Sequence, residues 1–260
     1  MKTIENSCVL ADKCKVAGKQ GVCNIACYPY VLAHGTDNGG FMGATGIPVK
    51  YRNSFLKNLP IQKENPQAYA VAKAYSEDVL SFVNRGVGLF LYSVASASNK
   101  LGTGTGKTTT ATALGNEYLK ARIIEHASGK TEIKHQPTVY IRVAELQNTY
   151  NKQFRGGFDE QEQATSKFNK MLKRMENAEL LIMDDISLRA STEAFTNVLY
   201  DILDDRYINE KPIIFTSNFP IEKIGEVLSP QIQSRIEGMT EQIAFKGKDF
   251  RKVGVLNAGK

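Results

Sequence analysis

Residues 101–109 read Leu-Gly-Thr-Gly-Thr-Gly-Lys-Thr-Thr. The glycines let a short loop fold back so that several backbone N–H groups converge on one anion. Lys107 adds a positive charge that can reach the outer phosphates of a nucleoside triphosphate, and the Thr108 hydroxyl is a hard oxygen ligand for Mg²⁺. The expected phosphate cradle is Gly102, Thr103, Gly104, Thr105, Gly106, Lys107, Thr108 and Thr109. Such a loop needs a strand before it and a helix after it, because the helix N-terminus contributes its own partial positive charge. One position departs from the usual pattern: the glycine expected five residues before Gly106 is Leu101.

A second constellation follows at 180–185, Leu-Leu-Ile-Met-Asp-Asp, an apolar run ending in two acids. Asp184 is the expected Mg²⁺ ligand together with Thr108, and Asp185 the group that orients or deprotonates an attacking water. A third apolar run, 212–217, ends at Asn218, which is placed to hydrogen-bond a γ-phosphate or that water; a turn-forming asparagine before Pro220 is the alternative. Arg235 could complete the γ-phosphate site of a neighbouring subunit, or simply form a surface salt bridge. Arg251 reads equally as a second sensing arginine or as part of a solvated basic tail.

The elements that must position these groups alternate in texture. Runs at 88–94, 138–143, 179–183, 212–216 and 242–245 are short, apolar and rich in β-branched or aromatic residues, as buried strands are. Stretches at 66–86, 108–121, 144–154, 161–176 and 192–209 carry apolar residues at helical spacing. This alternation predicts an α/β fold, a parallel sheet with helices on both faces.

Ahead of it lies a different composition. Cys8, Cys14, Cys23 and Cys27 all fall in the first 27 residues, followed by a glycine-rich stretch at 35–46. Four thiols in so short a segment suit one tetrahedral Zn²⁺ site, which would supply folding energy that a tiny core cannot. The spacing is irregular, so ligation including His34, or free cysteines, stays open. The organisation expected is a Cys-rich module at 1–46, a linker at 47–64 and the nucleotide-binding domain at 65–260.

Apolar residues make up 42% of the 260, enough to bury a sizeable core. No run is long enough to span a bilayer, and residues 1–14 lack the apolar region of a secretory signal, so a cytoplasmic location with reduced thiols is expected. The net charge of +6 suits a polyanionic partner without requiring one.

The order of these motifs resembles that of an AAA+ ATPase. With Gly86–Tyr92, Leu181–Ile186, Asp204–Tyr207, Thr216–Asn218 and Ser234–Ile236, the chain is similar over about 47–251 to the DnaC/DnaI type of replicative-helicase loader often carried by phages. The resemblance implies hydrolysis of Mg²⁺-bound ATP, slow if the shorter Asp185 reaches less far, and self-association into a ring or spiral in which Arg235 faces a neighbour's nucleotide. It also implies binding to a hexameric replicative helicase through the N-terminal module, and to single-stranded DNA. Lys167, Lys170, Lys173 and Arg174, on one expected helix, are DNA candidates or merely its solvated face. Many such ATPases carry glutamate where this chain has Asp185. Two other functions share the core: an ATPase assisting a transposase, and a nucleotide-dependent interaction module that hardly hydrolyses.

The loop makes its own test. Lys107→Ala should abolish binding of a fluorescent ATP analogue while leaving the circular dichroism spectrum unchanged, since the lysine acts as a point charge on the phosphates.

Overall fold

The computed structural model describes residues 3–36, 39–97, 99–100, 102–186 and 192–253. Five strands form one sheet: β1 (Gly88–Ser93), β2 (Thr138–Arg142), β3 (Leu180–Asp184), β4 (Ile213–Ser217) and β5 (Thr240–Phe245). The spatial order is β2-β3-β4-β1-β5 and every pairing is parallel. β3 and β4 are buried along their whole length, which is why their sequences are continuous apolar runs instead of alternating ones.

The helices are α1 (Tyr28–His34), α2 (Gly40–Ala44), α3 (Ile61–Glu64), α4 (Pro66–Glu77), α5 (Val79–Asn84), α6 (Lys107–Ala127), α7 (Val143–Lys152), α8 (Phe158–Asn177), α9 (Glu193–Ile208), α10 (Ile221–Val227), α11 (Pro230–Met239) and α12 (Phe250–Val253). Among the described residues, none is long and apolar enough to cross a membrane. Local chemistry fixes several ends. Thr192 caps α9 by accepting from the Phe195 amide at 3.3 Å, and Ser229, followed by Pro230, caps α11 through the Ile232 amide at 3.1 Å. The continuous helix expected over 66–86 is two helices, because the chain leaves helical geometry at Asp78 (φ −124°, ψ 36°). Tyr75 and Phe82 stack across that break, with ring centroids 4.9 Å apart.

Two apolar layers sandwich the sheet. One joins α7–α11 to Phe90, Leu181, Met183 and Phe215. The other joins α4, α5 and α6 to Leu89, Leu91, Ile182 and Ile214, and it includes Ile47, Leu59 and Ile61 from the 47–64 segment. α6 lies so close to the sheet that a Cβ at Gly115 would come within 2.6 Å of Ile182 Cδ1.

The Cys-rich segment packs on the far end of α6. Leu10 and Ala33 are buried against Leu119 and Ile123. The buried Lys120 ammonium bonds Asp12 at 2.6 Å and Glu117 at 3.0 Å.

Arg206 is fully buried in α9 without a carboxylate partner. Its fork donates to the carbonyls of Met175 and Ala178 at the end of α8, the latter at 3.0 Å, and to Pro212 O, also at 3.0 Å. It thereby ties the end of α8 to the entry into β4, a favourable place for a cation because carbonyls there lack helical partners. Arg206→Leu should lower the free energy of unfolding by about 2–4 kcal/mol through carbonyls left without donors, read from urea denaturation with an unchanged slope.

Candidate nucleotide-binding and hydrolysis site

The glycine loop sits between β1 and α6, as its chemistry requires. Lys107 is only 7% exposed. Its ammonium donates to Ser93 Oγ, at the end of β1, and to Asn218 Oδ1 at 3.1 Å, just beyond β4. Burial pushes the Lys107 pKa down to about 8; Asp185 and Asp184 pull it back up, and Arg251 lowers it further. Asn99 fixes the loop by donating to Thr103 O at 2.7 Å and Gly247 O at 3.1 Å. The Phe250 amide donates to Gly104 O at 3.0 Å. A Cβ at Gly104 would overlap Asp249 Oδ1 at 1.7 Å, so the C-terminal segment can lie on the loop only because that position is glycine. Leu101 lies outside the described residues.

Asp184, at the end of β3, is 5% exposed and gathers three hydroxyls. Its Oδ1 accepts from Thr108 at 2.8 Å and from Thr216 at 2.7 Å, and its Oδ2 accepts from the Tyr140 phenol at 2.7 Å. Thr108 and Asp184 thus offer an all-oxygen pair that suits Mg²⁺. Asp185 follows with a left-handed backbone, φ 58°. Its amide donates to Thr216 Oγ1 at 2.9 Å, and its Oδ1 accepts from Asn218 Nδ2 at 3.2 Å. Asn218 therefore bridges Lys107 and Asp185.

These groups line one cavity of about 510 Å³, together with Lys50, Tyr51, Pro60, Arg142, Phe250 and Arg251. Ser93, Tyr140 and Thr216 belong to the arrangement although the motifs do not single them out. Ser93 and Thr216 sit at or near the carboxyl ends of central strands, where ligands of such sheets bind. Tyr140 carries no such signal, since it lies inside β2 as one more aromatic strand residue.

Arg235 is elsewhere. On α11, its Nε donates to Asp204 Oδ1 at 2.6 Å, and its guanidinium lies 5.1 Å from the ring centre of Tyr207 and 5.9 Å from that of Tyr200. Within one chain it is the salt-bridged arginine, with its pKa raised chiefly by the Asp204 hydrogen bond.

The Zn²⁺ expectation is not supported. Cys8, Cys14, Cys23 and Cys27 are free thiols that border one small pocket. Yet among the described residues no three or more His, Cys, Asp or Glu side chains are disposed to hold a metal ion. Apolar Leu10, Val16 and Pro29 share the pocket wall, and burial is the largest cause raising the Cys8 pKa, which favours the neutral thiol over the thiolate a metal needs. His34 stacks on Tyr30, centroids 4.4 Å apart, and its Nε2 accepts from the Val9 amide at 3.5 Å.

A family described as IstB-like ATP binding protein matches residues 94–253. Among curated proteins, no sequence matches the chain. Solved structures share the fold. DnaI aligns with a TM-score of 0.55 at 21% identity, covering 77% of this chain and 95% of that one. The replication initiator DnaA bound to AMPPCP and single-stranded DNA gives 0.54 at 22% identity, covering 78% of this chain and 52% of that one. A putative primosome component from Streptococcus pyogenes gives 0.51 at 17% identity, covering 78% and 92%.

Lys107 supplies a pH dependence. Only its protonated form attracts phosphate, and with a pKa of about 8 that form falls from about nine-tenths at pH 7 to about one-tenth at pH 9. ATP affinity should weaken about tenfold over that interval, with proton uptake on binding that grows toward pH 9, both measurable by calorimetry in buffers of different ionisation heat.

Proposed function

The chain belongs to the IstB-like ATP-binding family, and from that premise we propose that it is an ATPase whose hydrolysis governs the loading of a replicative helicase onto single-stranded DNA. The observation that supports hydrolysis is the joining of Lys107, Thr108, Asp184, Asp185 and Asn218 around one cavity. Lys107 and the loop amides bind the β- and γ-phosphates. Thr108 and Asp184 would hold Mg²⁺, which would neutralise charge on the phosphates. Asp185 and Asn218 orient a water for in-line attack on the γ-phosphorus. The bond to the bridging oxygen breaks, ADP and phosphate leave, and Asp185 accepts the water's proton. In an assembled ring Arg235 exchanges Asp204 for a neighbour's γ-phosphate.

The partner reading draws on surfaces. Val22, Ile25 and Tyr28 are exposed on the Cys-rich segment, Ile25 at 68%, and they form the face offered to a helicase. On α8, Lys167 is paired with Glu145 at 3.1 Å and Arg174 bonds Ala44 O at 2.7 Å. Lys170 and Lys173 remain, lining an open groove with Phe158, which is 81% exposed. Cations beside an exposed aromatic ring suit a single strand, with phosphates on lysine and a base on the ring. The rival reading, an ATPase that assists a transposase, uses the same core and differs in its partner.

The deciding experiment pairs the purified chain with the hexameric helicase of its host. The helicase should bind, and Ile25→Asp should abolish binding without changing ATP affinity. A point change is preferable to deleting residues 1–46, which would strip the cover from Leu119 and Ile123. Arg235→Ala should bind ATP yet lose stimulated hydrolysis, and mixing it with Lys107→Ala should restore part of the activity across the shared interface. Tight duplex DNA binding with no helicase binding would favour the transposase-assisting reading.

A further inference from the structure

Tyr140 makes a contact that the expected ATPase motifs do not require. Its phenol is buried, 5% exposed, and donates to Asp184 Oδ2 at 2.7 Å. The other carboxylate oxygen, Oδ1, faces Thr108 and Thr216. The two oxygens of Asp184 are thus chemically divided, one toward the glycine loop and one committed to a phenol.

The backbone that carries the phenol is held from two directions. β2 is an edge strand of the sheet, and Tyr140 is in register with Ile182 of β3 on one side. On the open side the Tyr140 amide donates to Thr45 O at 2.8 Å. A Cβ on Gly46 would stand 2.9 Å from Tyr140 O, so that residue's backbone presses against the same position. A backbone held in this way limits how far the phenol can follow Asp184 if the carboxylate turns.

We propose that Tyr140 is a positioning residue that restricts Asp184 to one-oxygen coordination and thereby selects Mg²⁺ over Ca²⁺. The proposal rests on the reading of Thr108 and Asp184 as the metal pair. Mg²⁺ requires near-octahedral geometry and is served by single carboxylate oxygens, whereas Ca²⁺ accepts a carboxylate through both. With Oδ2 turned to the phenol, Oδ1, which accepts from Thr108 and Thr216, is the oxygen on the Thr108 side, and turning Oδ2 to the same ion would break a buried hydrogen bond.

Tyr140→Phe removes the donor and keeps the ring. The readout is binding of a fluorescent ATP analogue, titrated with Mg²⁺ and separately with Ca²⁺, and once in EDTA. The variant should need about tenfold more Mg²⁺ for half-maximal binding, the usual scale for losing a ligand-orienting partner. Its Ca²⁺ requirement should fall or stay level, and binding in EDTA and the melting temperature should match wild type. Equal Mg²⁺ and Ca²⁺ requirements in variant and wild type would overturn the proposal. Equal losses for both ions and in EDTA would show a merely structural tyrosine and overturn it too. Wild-type protein whose nucleotide binding ignores Mg²⁺ altogether would instead overturn the metal-pair reading beneath it. If the variant does not fold, 3-fluorotyrosine at position 140 gives the answer in otherwise native protein: its ¹⁹F resonance should shift with Mg²⁺ and nucleotide, and an unmoved resonance counts against the proposal.

Discussion

Helix α6 is buried on every side from Thr110 to Ile123, and the rest of the molecule is arranged to satisfy it. An ordinary amphipathic helix shows water one face, but this one begins at the nucleotide loop and runs beneath the sheet. Its polar side chains must therefore find partners inside the protein. Asn116 donates to the carbonyls of Arg52 and Ser54 at 3.1 and 2.9 Å, Glu117 accepts from the Leu56 amide at 3.3 Å, and Lys120 bonds Asp12. While Glu179 takes Tyr118 and Arg122, residues that precede the strand-and-helix core supply these partners. They are parts of the helix's surroundings, which explains why Ile47, Leu59 and Ile61 are among the most deeply buried residues of the chain.

The strands and the two acidic and glycine motifs were legible because their signals are local. An apolar run between turn residues reads as a buried strand whatever surrounds it, and a loop of alternating glycines before Lys107 has few other uses. The break at Asp78 was not legible, since the apolar spacing from Tyr69 to Val83 continues across it and only tertiary packing of Tyr75 and Phe82 reveals two helices. The burial of the 47–64 segment was equally hidden. Its prolines and polar residues read as a tether, and its few large apolar side chains gain meaning only from the pockets they fill. Tyr140 illustrates the general difficulty: a residue whose role depends on one atom meeting another strand's carboxylate leaves no periodic trace.

Both cations that the proposed reading assigns to phosphate are held by internal partners. Lys107 rests on Ser93 and Asn218, and Arg235 on Asp204 beneath two tyrosine rings. On that reading phosphate would meet each as a competitor for an existing bond. The exchange lowers the net gain of binding, because one set of contacts replaces another. It also keeps both side chains near one geometry beforehand, which reduces the ordering cost on association. Thr108 differs, because its hydroxyl gives its hydrogen to Asp184 and keeps its oxygen lone pairs for an ion.

The left-handed backbone at Asp185 bears on which amino acids the position can sample over evolutionary time. Few side chains accept positive φ, and aspartate and asparagine are enriched there several-fold over longer residues. Here the conformation is reinforced by the bond from the Asp185 amide to Thr216 and by the one from Asn218 to its carboxylate. A drift to glutamate would extend the acid by one methylene, lose the short-chain advantage at that φ and displace the carboxylate from Asn218. A lineage wanting the longer acid would need to rebuild the turn and its two partners together, so the shorter residue is trapped by its neighbours' geometry as much as retained for its chemistry.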